Sequence, residues 1–261
     1  LDHEVAVAEK RHDRAMMLDR HPRRAQGSCN LVRRALEGIE VVDGQQAMLD
    51  AREVKTGDEI ELLKMAASMV DATYVDIARA IRPGTKENEL VAIANDRLFR
   101  MGSERVECVN SVSGRRGRPH SHTFSDRMIQ PGDMIFLDIM HSYNGYRTCY
   151  YRTFICGQPN NNQIDAYETA SKWLSASMDK IRPGVTPDEV AAVWPDAHEF
   201  GYKNEEEAFL LKYGHGVGLS LWERPIFSKR FRGQNEPLME GMVFALETWE
   251  GAEDGSGAAR I

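Results

Sequence analysis

The chain has 261 residues, 42% of them hydrophobic and 28% charged, which is enough apolar material for a buried core and too much for a disordered tail. Its 33 basic and 40 acidic residues give a formal charge of -7, and no Lys/Arg stripe is long enough to follow a phosphate backbone, so nucleic acid is excluded as a main partner. No apolar run approaches the roughly 20 residues that cross a bilayer, and residues 1–30 are charged where a secretory signal would be apolar, so the sequence reads as soluble and cytoplasmic with no membrane partner.

Residues 1–50 carry a basic cluster at Arg20, Arg23, Arg24, Arg33 and Arg34 and show helical fragments without a sustained strand pattern, as the tail of a preceding domain or a linker would. The main domain is expected over 51–261. Thr56-Gly-Asp-Glu59 has the spacing of a capping box, and Ile60, Leu63, Ala67, Val70, Tyr74 and Ile77 follow at intervals of three and four. That pattern predicts an amphipathic helix over 58–80. It ends at Ile81-Arg-Pro-Gly84, after which a second helix is expected to start near Thr85.

The same tetrapeptide returns 100 residues later as Ile181-Arg-Pro-Gly184, again after a predicted helix (163–180) and before another, which starts at Thr186-Pro-Asp-Glu189. The matching flanks point to a duplicated half-domain. Between and after the helix pairs lie predicted strands at Met134–Met140 and Tyr146–Cys156, joined by an Asn144-Gly145 hairpin turn, with others at Val217–Trp222 and Met242–Trp249. Two similar halves whose helices cover a largely antiparallel sheet make an α+β domain. The Gly-rich stretch Gly251–Gly257 reads as a turn between strands.

Asp138 and Glu247 each interrupt an otherwise apolar strand, where an unpaired carboxylate costs several kcal/mol and requires a metal, a cationic substrate or a buried Arg such as Arg152 to compensate it. His215 sits in Gly214-His-Gly-Val-Gly218, and His120 and His122 lie in a loop able to reach a cleft. Imidazole titrates near neutrality, which suits it to acid/base work. The four cysteines, Cys29, Cys108, Cys149 and Cys156, form no CxxC pair and are expected to be reduced.

Pro119-His120, Gly132-Asp133-Met134 leading to Asp138, Gly145-Tyr146 with Arg152-Thr153-Phe154, Gly214-His-Gly-Val-Gly218 and Glu240-Gly-Met-Val243 with Glu247 resemble the creatinase/aminopeptidase P/methionine aminopeptidase superfamily, peptidase family M24. The resemblance covers about residues 50–261 and implies the pita-bread fold, two related αβ halves with a curved sheet. It makes residues 1–50 the remnant of the extra N-terminal domain of creatinase- and prolidase-like members, and it implies a homodimer.

In the metallopeptidase members two Asp, one His and two Glu hold a pair of divalent metals. By resemblance Asp138, His215 and Glu247 take three of those places. The second Asp, expected eleven residues after the first, is Cys149, and the last Glu would fall just beyond Ile261. Trp222 replaces a further His, and an indole cannot exchange protons as imidazole does. A one-residue insertion lets either His120 or His122 take the first catalytic His position.

These departures leave several readings. The first is a creatinase/Xaa-Pro peptidase-like hydrolase that cleaves a C–N bond in a small amide, dipeptide or guanidinium-type substrate. It would use an atypical site of one divalent ion (Fe, Mn or Zn) held by Asp138, His215, Glu247 and Cys149, or no metal at all as in the creatinases. Here His120, His122 and His215 would act as catalytic groups, and Trp222 and Glu247 would touch substrate. Cys149 is equally readable as a small buried hydrophobe. The alternatives are a metal-dependent dimethylsulfoniopropionate lyase-like enzyme, whose extra Asp ligands would be Met140 and Cys149 here, and a catalytically silent pita-bread binding protein.

Overall fold

The computed structural model describes residues 44–117, 121–208, 212–233 and 236–261. The basic cluster of residues 1–43 and His120 lie outside them. Helix α1 spans Gln45–Glu53, and a compact unit runs from Glu53 to Ile261. No helix among the described residues is long and apolar enough to cross a membrane.

Helix α2, Gly57–Ala80, begins as its sequence requires. Thr56 Oγ1 accepts from the Glu59 amide, and the Glu59 carboxylate accepts from the Thr56 amide at 2.8 Å. Its buried positions, Leu63, Ala66, Met69, Val70, Thr73, Tyr74 and Ile77, form one stripe. Helix α3 spans Glu87–Arg100. It starts two residues beyond Thr85 because Lys86, in extended conformation, occupies the cap, with its amide donating to the Glu89 side chain.

The tetrapeptide repeat is a repeat in three dimensions. α2 ends on Ile81 at φ -67 and ψ 114, and helix α4, Asn161–Lys180, ends on Ile181 at φ -71 and ψ 118. Gly84 (φ +89) and Gly184 (φ +92) adopt the same left-handed turn, which only glycine reaches without strain. Each then donates its amide at 2.9 Å to a following segment, Gly84 to the Ile129 carbonyl and Gly184 to that of Leu238. Helix α5, Pro187–Ala191, is a single short turn after the second copy.

The first half holds an antiparallel sheet in the order β1-β2-β3, with β1 at Arg105–Ser113, β2 at Met134–Tyr143 and β3 at Tyr146–Ile155. Asn144 (φ 48) and Gly145 (φ 83) make the tight β2–β3 turn. Nine of the ten residues of β2 are buried, so both of its faces are covered and its near-continuous apolar run follows. Ile135, Leu137 and Ile139 pack on α2 and α3 through Val70, Tyr74, Ile77, Leu90 and Leu98. Phe136, Asp138 and Met140 alternate onto the other face.

The second half holds the order β5-β4-β6, with β4 at Gly214–Gly216, β5 at Glu223–Phe227 and β6 at Phe244–Leu246, and a separate pair of β7, Trp249–Gly251, with β8, Ala258–Arg260. Trp194, Tyr213 and Phe227 anchor its core, where Tyr213 stacks between Trp194 (4.6 Å) and Trp249 (5.5 Å).

Two expected strands are corrected. Val217–Trp222 is a bend between β4 and β5, turned by the Gly218 amide donating to the Ser220 carbonyl at 3.1 Å. Met242–Trp249 is interrupted at Glu247-Thr248, where the chain leaves β6 and enters β7. Strand β1 has no counterpart in the sequence reading. The Gly-rich stretch does join two strands, β7 and β8.

Candidate functional site

The register of the first sheet sets one side of the site. Asp138 is paired with Asn110 on β1 and Tyr151 on β3, and Met140 with Cys149, so Asp138 and Cys149 project from the same face of neighbouring strands. Asn110 Nδ2 donates to Asp138 Oδ2 at 3.1 Å, and the Cys149 thiol lies 3.6 Å from Asp138 Oδ1. The second half supplies the other side. His215 is the centre of β4, and its flanking glycines are there because a Cβ on Gly216 would run into the Arg224 backbone and one on Gly214 into the Ala245 carbonyl.

His215 Nδ1 donates to the Gly216 carbonyl at 2.9 Å, which turns Nε2 toward Glu247 Oε1, 3.1 Å away. The same Glu247 oxygen is 3.6 Å from Cys149 Sγ. Asp138, Cys149, His215 and Glu247 are all buried, and the donor atoms of the last three lie within 4.8 Å of one another.

The cation beside these acids is Arg260, not Arg152. Arg260 is fully buried, its guanidinium lies 3.9 Å from the centre of the Tyr151 ring, and Nη2 is 3.8 Å from Glu247 Oε2. Arg152 instead lies over the Tyr150 ring at 4.6 Å and 3.9 Å from Asp71. Two buried acids and one buried Arg leave the pocket with an excess of negative charge. Burial, then the charge of Glu247, push the Asp138 carboxyl up to about 6. Burial also pushes Glu247 up, but the His215 hydrogen bond and charge, with Arg260, outweigh it and hold that carboxyl low. Burial and the two carboxylates raise the Cys149 thiol well above its ordinary value.

Trp222 borders the site from the β4–β5 bend. Its ring stacks 4.1 Å from the His215 imidazole and remains 38% exposed, and the Lys212 ammonium sits 5.1 Å from its centre. Behind it a buried ion pair, Lys55 Nζ to Glu223 Oε2 at 3.1 Å, ties the bend to the segment preceding α2. His122 stands at the edge of the same space, where partial burial and Arg260 lower its imidazole pKa and Glu247 opposes them.

The sequence profile of metallopeptidase family M24 matches residues 61–261. The chain belongs to that family. A probable dipeptidase PepE of Mycobacterium tuberculosis is 30% identical over 211 residues, covering 80% of this chain and 55% of that protein. An Xaa-Pro dipeptidase of Pyrococcus furiosus is 29% identical over 201 residues, 76% of this chain and 56% of the relative. The prolidase structure from Pyrococcus horikoshii superposes with a TM-score of 0.78 at 26% identity, over 90% of this chain and 66% of that one. The dipeptidase PepE of Mycobacterium ulcerans gives 0.75 at 28%, over 93% and 63%. The pita-bread architecture follows from these structures, and this chain spans a little over half the length of the curated relatives it matches.

Metallopeptidases of this family use divalent cations, and the donors present fit one better than two. A carboxylate-bridged pair needs an oxygen donor where Cys149 stands. A single cation would meet three buried donors from both halves, Cys149, His215 and Glu247, with the Asp138 carboxylate 3.6 Å from the Cys149 sulfur.

The residues absent from the sequence reading are Asn110, Tyr151, Arg260 and Lys212. Asn110 and Tyr151 follow from strand pairing with Asp138. No local pattern marks Arg260, which depends on β7–β8 closing over the first sheet.

Proposed function

We propose that the chain carries the catalytic domain of a peptidase-type hydrolase that cleaves the C–N bond of a dipeptide or another small amide, with residues 1–50 belonging to a segment that precedes it. The observation that carries this reading is the chain of contacts Asp138–Cys149–Glu247–His215, which joins β2 and β3 to β4 and the link between β6 and β7 in one buried cluster in an M24 fold. The dipeptidase names of its relatives supply the substrate class. A cation held in this cluster would polarise the amide carbonyl and lower the pKa of an attacking water. The site is atypical in its second carboxylate position, occupied by Cys149.

The chain's own groups divide the remaining work. Glu247 fixes the His215 ring through Nε2 while the Gly216 carbonyl holds Nδ1, so the imidazole has one orientation. Trp222 stacks on the His215 ring and cannot exchange protons. Proton delivery to the leaving amine therefore falls to the histidine loop. His122 sits where Arg260 and Glu247 act on it, and His120 is the other candidate of that loop.

A panel of Xaa-Pro and non-proline dipeptides, with a guanidinium-type amidine substrate as comparison, tests the reading on full-length protein supplied with divalent cations. Amide hydrolysis is expected, with kcat reduced about a hundredfold or more in whichever of His120→Ala and His122→Ala removes the proton donor. Turnover of the guanidinium compound alone, or of nothing by folded protein, would overturn it.

A further inference from the structure

We infer that Cys149 is itself a ligand, so that this centre holds a single thiophilic cation of the zinc, iron(II) or cobalt(II) class in place of a carboxylate-bridged pair of hard ions. The inference rests on the hydrolase reading for its location only. Its support is the spacing of the donors. Around one tetrahedral cation, with bonds of about 2.3 Å to sulfur and about 2.0 Å to oxygen or nitrogen, sulfur and oxygen ligands stand roughly 3.5 Å apart and nitrogen and oxygen roughly 3.3 Å.

The observed separations are close to those edges. Cys149 Sγ is 3.6 Å from Asp138 Oδ1 and 3.6 Å from Glu247 Oε1, and His215 Nε2 is 3.1 Å from Glu247 Oε1. The donor atoms of Cys149, His215 and Glu247 all lie within 4.8 Å of one another, three corners of one small polyhedron, and Asp138 reaches it through the Cys149 sulfur. The two carboxylates that crowd the thiol leave an excess of negative charge that Arg260, 3.8 Å from Glu247, meets at one corner only.

A thiolate and an imidazole beside two carboxylates select borderline cations over manganese, magnesium or calcium, which prefer oxygen. Binding replaces the S–H bond of Cys149 by a sulfur–metal bond, and the proton leaves to solvent. The His215 orientation agrees: with Nδ1–H bound to the Gly216 carbonyl, Nε2 points inward at Glu247, and a cation would take the place of the proton between them.

The test uses full-length protein purified without chelator and then loaded with cobalt(II). The expected result is about one equivalent of cation per chain and a sulfur-to-cobalt charge-transfer band in the near ultraviolet. In Cys149→Ser that band is lost while the visible cobalt bands persist, and in Cys149→Asp manganese uptake rises toward two equivalents. A wild-type chain that binds two equivalents, shows no sulfur band with cobalt bound, or stays folded without taking up any cation overturns the inference; these readouts need no variant. Dipeptide hydrolysis without a sulfur band would leave the hydrolase reading intact, and a sulfur band without hydrolysis would leave this one.

Discussion

Lys55 and Glu223, 168 positions apart, form an ion pair at 3.1 Å in which each side chain is only 2% exposed. Glu223 also accepts from the Ser220 amide at 3.0 Å, so one carboxylate closes the bend that carries Trp222. Breaking such a pair from one side leaves a dry charge without its partner, which costs about 3–5 kcal/mol. Lys55→Met and Glu223→Gln should each lower stability by that order in urea unfolding. The double change Lys55→Met/Glu223→Leu should cost clearly less than their sum, and strict additivity would show that the pair does not act as a unit.

Burial, then the charge of Glu247, raises the Asp138 carboxyl to about 6. Asp138→Asn keeps the Asn110 contact and removes the charge. In chelator-treated protein at about pH 8 the variant should be more stable than wild type by about 1–3 kcal/mol, and it should lose cation binding. Thermal unfolding with and without added zinc checks both halves. A variant less stable than wild type in both conditions would mean that Asp138 serves packing.

These two sites differ in how legible they were. Asp138 and Glu247 each stand as one charge in an apolar run, and His215 sits between glycines, so local contrast alone marked them. The Ile-Arg-Pro-Gly repeat exposed the two halves because both copies must end a helix with the same left-handed glycine. Strand β1 carries no strand signature in the sequence because its register shifts between Val106 and Cys108 and its buried positions include Asn110, Ser111 and Ser113, which break the alternation. Arg260 has no local sequence signal because its burial comes from the β7–β8 pair and the Tyr151 ring, neither of which its Ala neighbours announce. Val217–Trp222 has strand composition, yet Gly218 packs against Glu223 and the chain bends.

Glu59 gives a pH signature at the start of α2. The Thr56 backbone amide, more than the opposing effect of burial, lowers its pKa, and the Tyr146 hydroxyl donates to its other oxygen at 3.0 Å. A folded pKa below the unfolded one stabilises the protein above the ordinary glutamate range and loses that contribution as pH falls through the folded value. Glu59→Gln should therefore cost about 0.5–1 kcal/mol at neutral pH, a modest figure for an exposed cap, and the difference should vanish near about pH 3. An unchanged difference across that range would remove the charge from the explanation.

Lys212 borders the site with no carboxylate or hydrogen-bond partner among the described residues. The Trp222 ring lies 5.1 Å from its ammonium, which Glu247 attracts from a distance and Arg230 repels. Burial lowers its pKa, so a bound anion would restore what desolvation removes. A dipeptide with a free C-terminal carboxylate supplies such an anion, and its amide does not. Lys212→Met should raise KM for the free acids about tenfold, equivalent to about 1.4 kcal/mol, while the amidated substrates keep theirs. Lys212→Arg should retain the preference, since the charge and its place over the indole persist. An equal rise for acids and amides would assign Lys212 to holding Trp222 against His215, and the Trp222→Ala variant would then reproduce it.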